Sequence, residues 1–475
     1  MNATTNAISQ TTAVRHSQKT KGRSLRWLIW IACLPMAIVL AAIALISVRE
    51  YRASSQLKQL LSECKESGVP YDDASMDAWY RKNTHEDGAR AWADISDIVS
   101  STSQVANIDS LPIVGTGTSP RSLNPNVEWK DEPVVAEYLK EMRPVLAQMH
   151  EASKFPTPVQ FPIQFEGFGT LLPDIQSARS VSRLAKLDFE HACYHRQADR
   201  ALRDLKTLVY VAKMIDSGSF MVSDLVVTAI QNMSRDSLRR SLEVELWNES
   251  QLSELRELVG MARFSKEKWQ SVIASERAMV VEYLLNRDTQ EIGRQAENTP
   301  NWIGLVPLLP SGKLKLFNSY GAAMKLGEGD LTPLVRTCSS LEKNLMNPRN
   351  LLDFDGYAVW MGLFYPAYSS YAQALENDEN DRRLTLASLA LRQFKQRENR
   401  WPKKLSELES LSLSPSDYST VNGGMLGYEV EDTVAYLWGI SWRSRRPEDS
   451  SKVSPSRPVR TDDDDWEHVP LATLR

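Results

Sequence analysis

Residues 174–215 read DIQSARSVSRLAKLDFEHACYHRQADRALRDLKTLVYVAKMI. Ile175, Ala178 and Val181 lead toward Leu187 at helical spacing. After a polar break near Arg196–Ala198, the set Leu202, Leu205, Leu208, Ala212 and Ile215 resumes it. Apolar residues three or four apart share one face of a helix, so the stretch predicts two helices with a tight reversal between them. Asp199 is the expected N-cap of the second.

The same period continues downstream. Helices are predicted over about 220–241, 249–263 and 266–286, the middle one opened by Asn248 with Gln251 three residues on in a capping box. Short breaks between them imply antiparallel neighbours. Thr332-Pro333 marks another helix start, and Leu334, Cys338, Leu341 and Leu345 follow at helical spacing. Residues 351–371 carry Phe354, Tyr357, Trp360, Phe364, Tyr365, Tyr368 and Tyr371, read as packing against the helical array rather than as a ligand platform.

Upstream, residues 49–100 read as polar helices, 101–128 as a loop, and 131–150 as a short helix. In residues 155–173, Val159, Phe161, Ile163 and Phe165 alternate while Pro156, Pro158 and Pro162 interleave. Period two with prolines predicts an extended edge segment. Toward the C-terminus, a helix over 381–398 places Leu384, Ala387, Leu391 and Phe394 on one face. Trp401-Pro402, a turn with Leu405, Leu408 and Leu411, and a β-hairpin around Glu431-Asp432 follow.

The stretch FPIQFEGFGTLLPDIQSARSVSRLAKLDFEHACYHRQADRALRDL, residues 161–205, resembles a group of uncharacterised membrane-anchored proteins of planctomycete-type bacteria. The segments LALRQFKQRENRWPKKLSEL and LGYEVEDTVAYLW extend the resemblance to the C-terminal module. It implies an anchored, largely helical protein and carries no known activity or catalytic residues. That module is also similar to the globular end of type II secretion pseudopilins. Trp401 replaces the usual Tyr before Pro402, and the anchor lacks the pseudopilin cleavage glycine and early Glu.

The anchor itself is Trp27–Val48, 22 residues without a charged side chain. As a helix it would be roughly 33 Å long, enough to cross a bilayer core. Trp27 and Trp30 stand at one end, where indoles favour the headgroup region. Arg15, Lys19, Lys21, Arg23 and Arg26 precede it, and Glu50 is the first acidic residue. A basic flank stays in the cytoplasm, so a single-pass protein of the inner membrane is expected, with the C-terminal bulk exported. Ala42-Ile43-Ala44 resembles a signal-peptide cleavage site and Ile31-Ala32-Cys33 a lipoprotein box, but the apolar run continues past both to Val48.

The expected fold is therefore mainly α: a transmembrane helix, a helical-hairpin array and a small C-terminal α+β module with a β-hairpin. The divisions are a basic tail (1–26), the anchor (27–48), a helix-and-loop region (49–173), the array (174–371), the small module (372–442) and a charged mobile tail (443–475). With 56 Lys+Arg against 60 Asp+Glu, a strongly basic nucleic-acid binder is excluded, and no nucleic-acid partner is expected. Hydrophobic residues at 42% suffice for a buried core.

Candidate chemistry is sparse. His191 and His195 are four apart, and Asp188 three before His191, so the three can share a helix face. Two imidazoles and a carboxylate are suitable ligands for zinc or non-haem iron. Cys64, Cys193 and Cys338 permit one disulfide or three buried thiols. His85-Glu86-Asp87 reads as a solvated loop and Asp462–Asp465 as an acidic tail. There is no P-loop, nucleophile elbow, zinc-protease helix or paired CxxC. The leading expectation is an anchored envelope protein, without cofactor, whose helical module binds another envelope protein. The rivals are an anchored hydrolase or metalloenzyme using Asp188, His191 and His195, and a secretion-apparatus component.

Overall fold

The computed structural model describes residues 9–102, 108–167, 169–261, 264–286, 306–327, 331–345, 355–364, 367–439 and 471–474, with side chains from Leu34 onward except at 102, 282–286, 332, 345, 361–364 and 471–473. Trp27, Trp30, Cys33 and Asp462–Asp465 therefore lie outside the described side chains.

Helix α1 (Ser9–Ser67) is long and apolar enough in its first part to cross a membrane. From Leu34 an 18-residue window reaches a mean hydropathy of 1.7 with none of it buried. Leu34, Ile38, Ile43 and Leu45 thus present apolar surface with no protein against it, which a soluble helix avoids. The helix does not stop where the apolar run ends. It continues without a break, and Ala53, Leu57 and Cys64 are buried.

The partners of α1 lie far along the chain. Leu57 and Cys64 form a small core with Val281 of α9 (Lys266–Asn286) and Phe317 of α10 (Pro310–Leu326). At the start of this contact the Glu50 carboxylate accepts from the Ser311 backbone N–H at 2.8 Å and from its hydroxyl at 2.7 Å. Arg49 donates to the same hydroxyl at 2.8 Å and lies 3.5 Å from Asp355, which also pairs with Lys315 at 2.8 Å. Charged side chains thus close the joint at the end of the apolar run, one or two residues beyond Val48.

The array follows the sequence reading closely. Before it, in the helix-and-loop region, come α2 (Asp73–Asn83), α3 (Ala89–Thr102) and α4 (Glu132–Ala152); the array itself opens with α5 (Pro173–Tyr194), α6 (Ala198–Met214), α7 (Met221–Ser241) and α8 (Glu249–Gly260). The capping box at α8 forms as expected: Asn248 Oδ1 accepts from the Gln251 N–H at 2.9 Å, and Gln251 Oε1 accepts from the Asn248 N–H at 3.1 Å. Asp199 is not the cap of α6. Arg196, at φ 54°, reverses the chain early, so Gln197 takes the cap position and Asp199 accepts from Gln251 Nε2 instead.

Two main cores fill the domain. The first joins α3 to α8 with the C-terminal module. The second gathers Trp269, Tyr320, Leu334, Cys338, Tyr357, Trp360, Tyr368 and Tyr371 from α9, α10, α11 (Leu331–Leu345), α12 (Tyr357–Phe364) and α13 (Tyr368–Glu398). The aromatic stretch therefore packs, as expected, where it is described. Pro333 falls inside the first turn of α11, where the first four N–H groups have no intrahelical acceptor to lose.

Helix α13 links the two cores. Its 31 residues run roughly 46 Å. Tyr368, Tyr371 and Ala372 serve the second core, and Leu384 to Phe394 serve the first. The expected limit between residues 371 and 372 falls inside this helix. Its middle is charged yet buried, and α7 supplies the counter-charges: Arg235 pairs with Asp378 and Arg239 with Asp381, both at 2.6 Å.

The 155–173 segment is extended but forms no ladder. Pro156, Pro158 and Pro162 withhold donors, so only single contacts remain, such as Val159 N–H to the Met214 carbonyl at 2.9 Å and Gln160 N–H to the His85 carbonyl at 2.7 Å. Val159 and Phe161 are buried.

At the C-terminus, β1 (Gly427–Glu431) and β2 (Val434–Trp438) form the expected hairpin, antiparallel, with Glu431 opposite Val434. A third strand, β3 (Leu471–Leu474), pairs antiparallel with β2 and buries Leu474 completely. The end of the expected mobile tail is thus part of the sheet. It reads LATL, apolar enough to cover the free edge of β2, whereas composition alone pointed to the charged residues before it.

Candidate functional site

The two histidines sit where α5 ends. His191 is in the last turn, and His195 is the C-cap, its N–H bonded to the His191 carbonyl at 3.1 Å. Facing them is the first residue of α4, Glu132, following Asp131 and preceding Pro133. A carboxylate at a helix N-terminus suits the local helix dipole.

Glu132 Oε1 lies 3.2 Å from His191 Nε2 and 2.8 Å from His195 Nε2. The imidazole ring centres are 4.5 Å apart. Among the described residues, Glu132, His191 and His195 are the group of three whose ligand atoms all fall within 4.8 Å of one another. His191 is buried; His195 keeps 39% of its side chain exposed, so one side of the group is open to solvent. Trp129 and Tyr194 wall it edge-on, with ring centres 6.3 Å from His191 and 5.5 Å from His195 respectively. Tyr194 is in turn held by the Val127 carbonyl at 3.2 Å.

Asp188 is not part of this group. The α5–α6 reversal brings Arg200 onto it, and the guanidinium grips both carboxylate oxygens, Nε reaching Oδ2 at 3.3 Å. Asp188 faces α6 because α6 buries that side of α5. Sequence spacing found the two histidines and missed Glu132. No local signal marks a partner 59 residues away on another helix.

Behind the histidines runs a buried polar chain. Arg200 Nη1 also approaches His191 Nδ1 at 3.4 Å and donates to Gln197 Oε1 at 2.9 Å. Asp204, fully buried and hydrogen-bonded to Asp188, has its carboxyl pushed well above the usual range, first by burial and then by the Asp188 charge. His150 Nε2 lies 2.9 Å from Asp204, and burial lowers its own pKa. Burial, then the Arg200 and His195 charges, lowers His191 to about 4, so its imidazole is neutral near pH 7.

A second polar group lies between α7, α9 and α13. Lys268 sits between Asp216, at 2.7 Å, and Asp224, and Tyr371 donates to Asp224. These groups satisfy one another beside a cavity of about 140 Å³; burial works against the Lys268 charge, and the Asp224 and Asp216 carboxylates outweigh it and keep Lys268 protonated. They tie α9 to α7 and α13. Cys64, Cys193 and Cys338 are buried and unpaired, the second of the two cysteine readings. Burial pushes the Cys338 thiol up to about 12, so it is protonated and unreactive near neutral pH.

No protein-family model matches the chain, and neither a curated protein nor a solved structure is found to match it.

Proposed function

We propose that the chain is a single-pass anchored protein of the cytoplasmic membrane whose helical domain, held against the outer face, binds another envelope protein. The carrying observation is the continuity of α1, which leads from an exposed apolar stretch into the domain core and is locked there by Glu50 and Ser311. A binding surface held this way keeps a fixed height and orientation above the bilayer, as a scaffold requires. The basic residues before Trp27 and the absence of acidic residues before Glu50 support the N-in orientation.

Chemical cross-linking of intact cells, with the full chain as bait, tests the binding role. A discrete cross-linked partner that survives stringent washing is expected. Recovery of the bait alone at several cross-linker lengths contradicts it.

A further inference from the structure

We propose that Glu132 Oε1, His191 Nε2 and His195 Nε2 form a three-ligand site for a divalent transition metal of the zinc class. This goes beyond the anchoring and binding role and does not depend on it.

The geometry is close to what such an ion needs. Ligand atoms at about 2.0–2.1 Å from a tetrahedral zinc stand about 3.3 Å apart. The two nitrogen–oxygen separations are 3.2 and 2.8 Å, and all three ligand atoms lie within 4.8 Å of one another, so local side-chain adjustment brings them onto one ion. Two imidazoles and one carboxylate are the donor set of catalytic zinc and of non-haem iron centres, which leave further positions to solvent. Here the exposed side of His195 provides that opening.

The surroundings also suit a cation. The three donors come from two helix ends fixed by packing: Trp129 and Tyr194 confine the rings, and α4 and α5 each contribute to the first core. Arg200 opposes the cation. A metal on Nε2 leaves the proton on Nδ1, which then faces the Arg200 Nη1 donor at 3.4 Å. That guanidinium nitrogen already bonds Gln197 Oε1 at 2.9 Å, and a small rotation toward it relieves the conflict.

The test uses the full chain in detergent micelles, stripped with chelator and titrated with zinc alone and with cobalt alone. One zinc per chain is expected, with a rise in melting temperature on binding. Cobalt should give the visible d–d bands of a nitrogen- and oxygen-ligated ion of low coordination number. His195→Ala, at a part-exposed cap position, should fold as the parent and weaken zinc by at least about tenfold. Glu132→Gln, which retains shape and hydrogen bonding, should weaken it similarly. His85→Ala, at an exposed histidine elsewhere, should bind as the parent. Zinc bound equally well by His195→Ala and the parent, or no saturable one-to-one binding by the parent, overturns the proposal.

Discussion

Trp401→Ala should destabilise the helical domain by about 3–5 kcal/mol, the range for truncating a buried tryptophan. Trp401 is 7% exposed, in one core with Leu384, Leu391, Phe394, Leu405 and Leu408. The chain reaches it through Asn399, whose φ of 51° ends α13 in the left-handed region. Pro402 then holds the residue before it out of helix, and Leu405, Leu408 and Leu411 fold back as a short 3₁₀ turn. The indole donates to the Thr433 carbonyl at 2.8 Å, in the hairpin loop, and Tyr428 donates to the Pro402 carbonyl at 2.8 Å. Truncation therefore opens a cavity and removes the donor of the Thr433 carbonyl together. A loss of this size is a large part of a domain's stability of roughly 5–15 kcal/mol. The measurement belongs on the full chain, because a fragment starting near residue 375 would cut α13 and lose the α7 and α8 surfaces that cover it. A variant melting like the parent would show that Trp401 contributes no buried contact.

Arg235→Ala should be comparably costly, about 3–5 kcal/mol, through charge rather than volume. The Arg235 side chain is 3% exposed and meets Asp378 Oδ1 at 2.6 Å, the Asp378 carbonyl at 3.1 Å and Gln231 Oε1 at 3.2 Å. Burial already raises the Asp378 pKa, and Asp381 and Asp224 add repulsion that Arg235 offsets. Without the guanidinium, a carboxylate stays buried among carboxylates at the centre of the helix that links both cores. The control is Asp378→Asn in the Arg235→Ala background. It should recover part of the loss, because it removes the stranded charge. A double variant as unstable as the single would place the cost in lost packing instead.

How much was legible in the sequence follows from the range of each signal. Helical periodicity is local, and α5 to α9 formed close to where Ile175, Leu202 and Trp269 set their phase. The Asn248–Gln251 cap, spanning three residues, was equally visible. The hairpin expected around Glu431-Asp432 formed, with its loop at Asp432-Thr433, one residue later. Long-range partners left no such trace. Glu132 meets His195 across 63 positions, Ser311 meets Glu50 across 261, and β3 reaches β2 from the far end of a charged tail. Asp188 shows the converse. Its spacing to His191 was right for a shared face, yet the helix that packs there brought an arginine.

As proposed, α1 crosses the membrane once and the whole domain lies on the far side. Reporter fusions after Trp438 in the full chain test this most directly, with alkaline phosphatase active only outside the cytoplasm and green fluorescent protein fluorescent when fused at the same junction only inside it. High phosphatase activity with no fluorescence is the result expected. Fluorescence with an inactive phosphatase would place the domain in the cytoplasm and contradict the account.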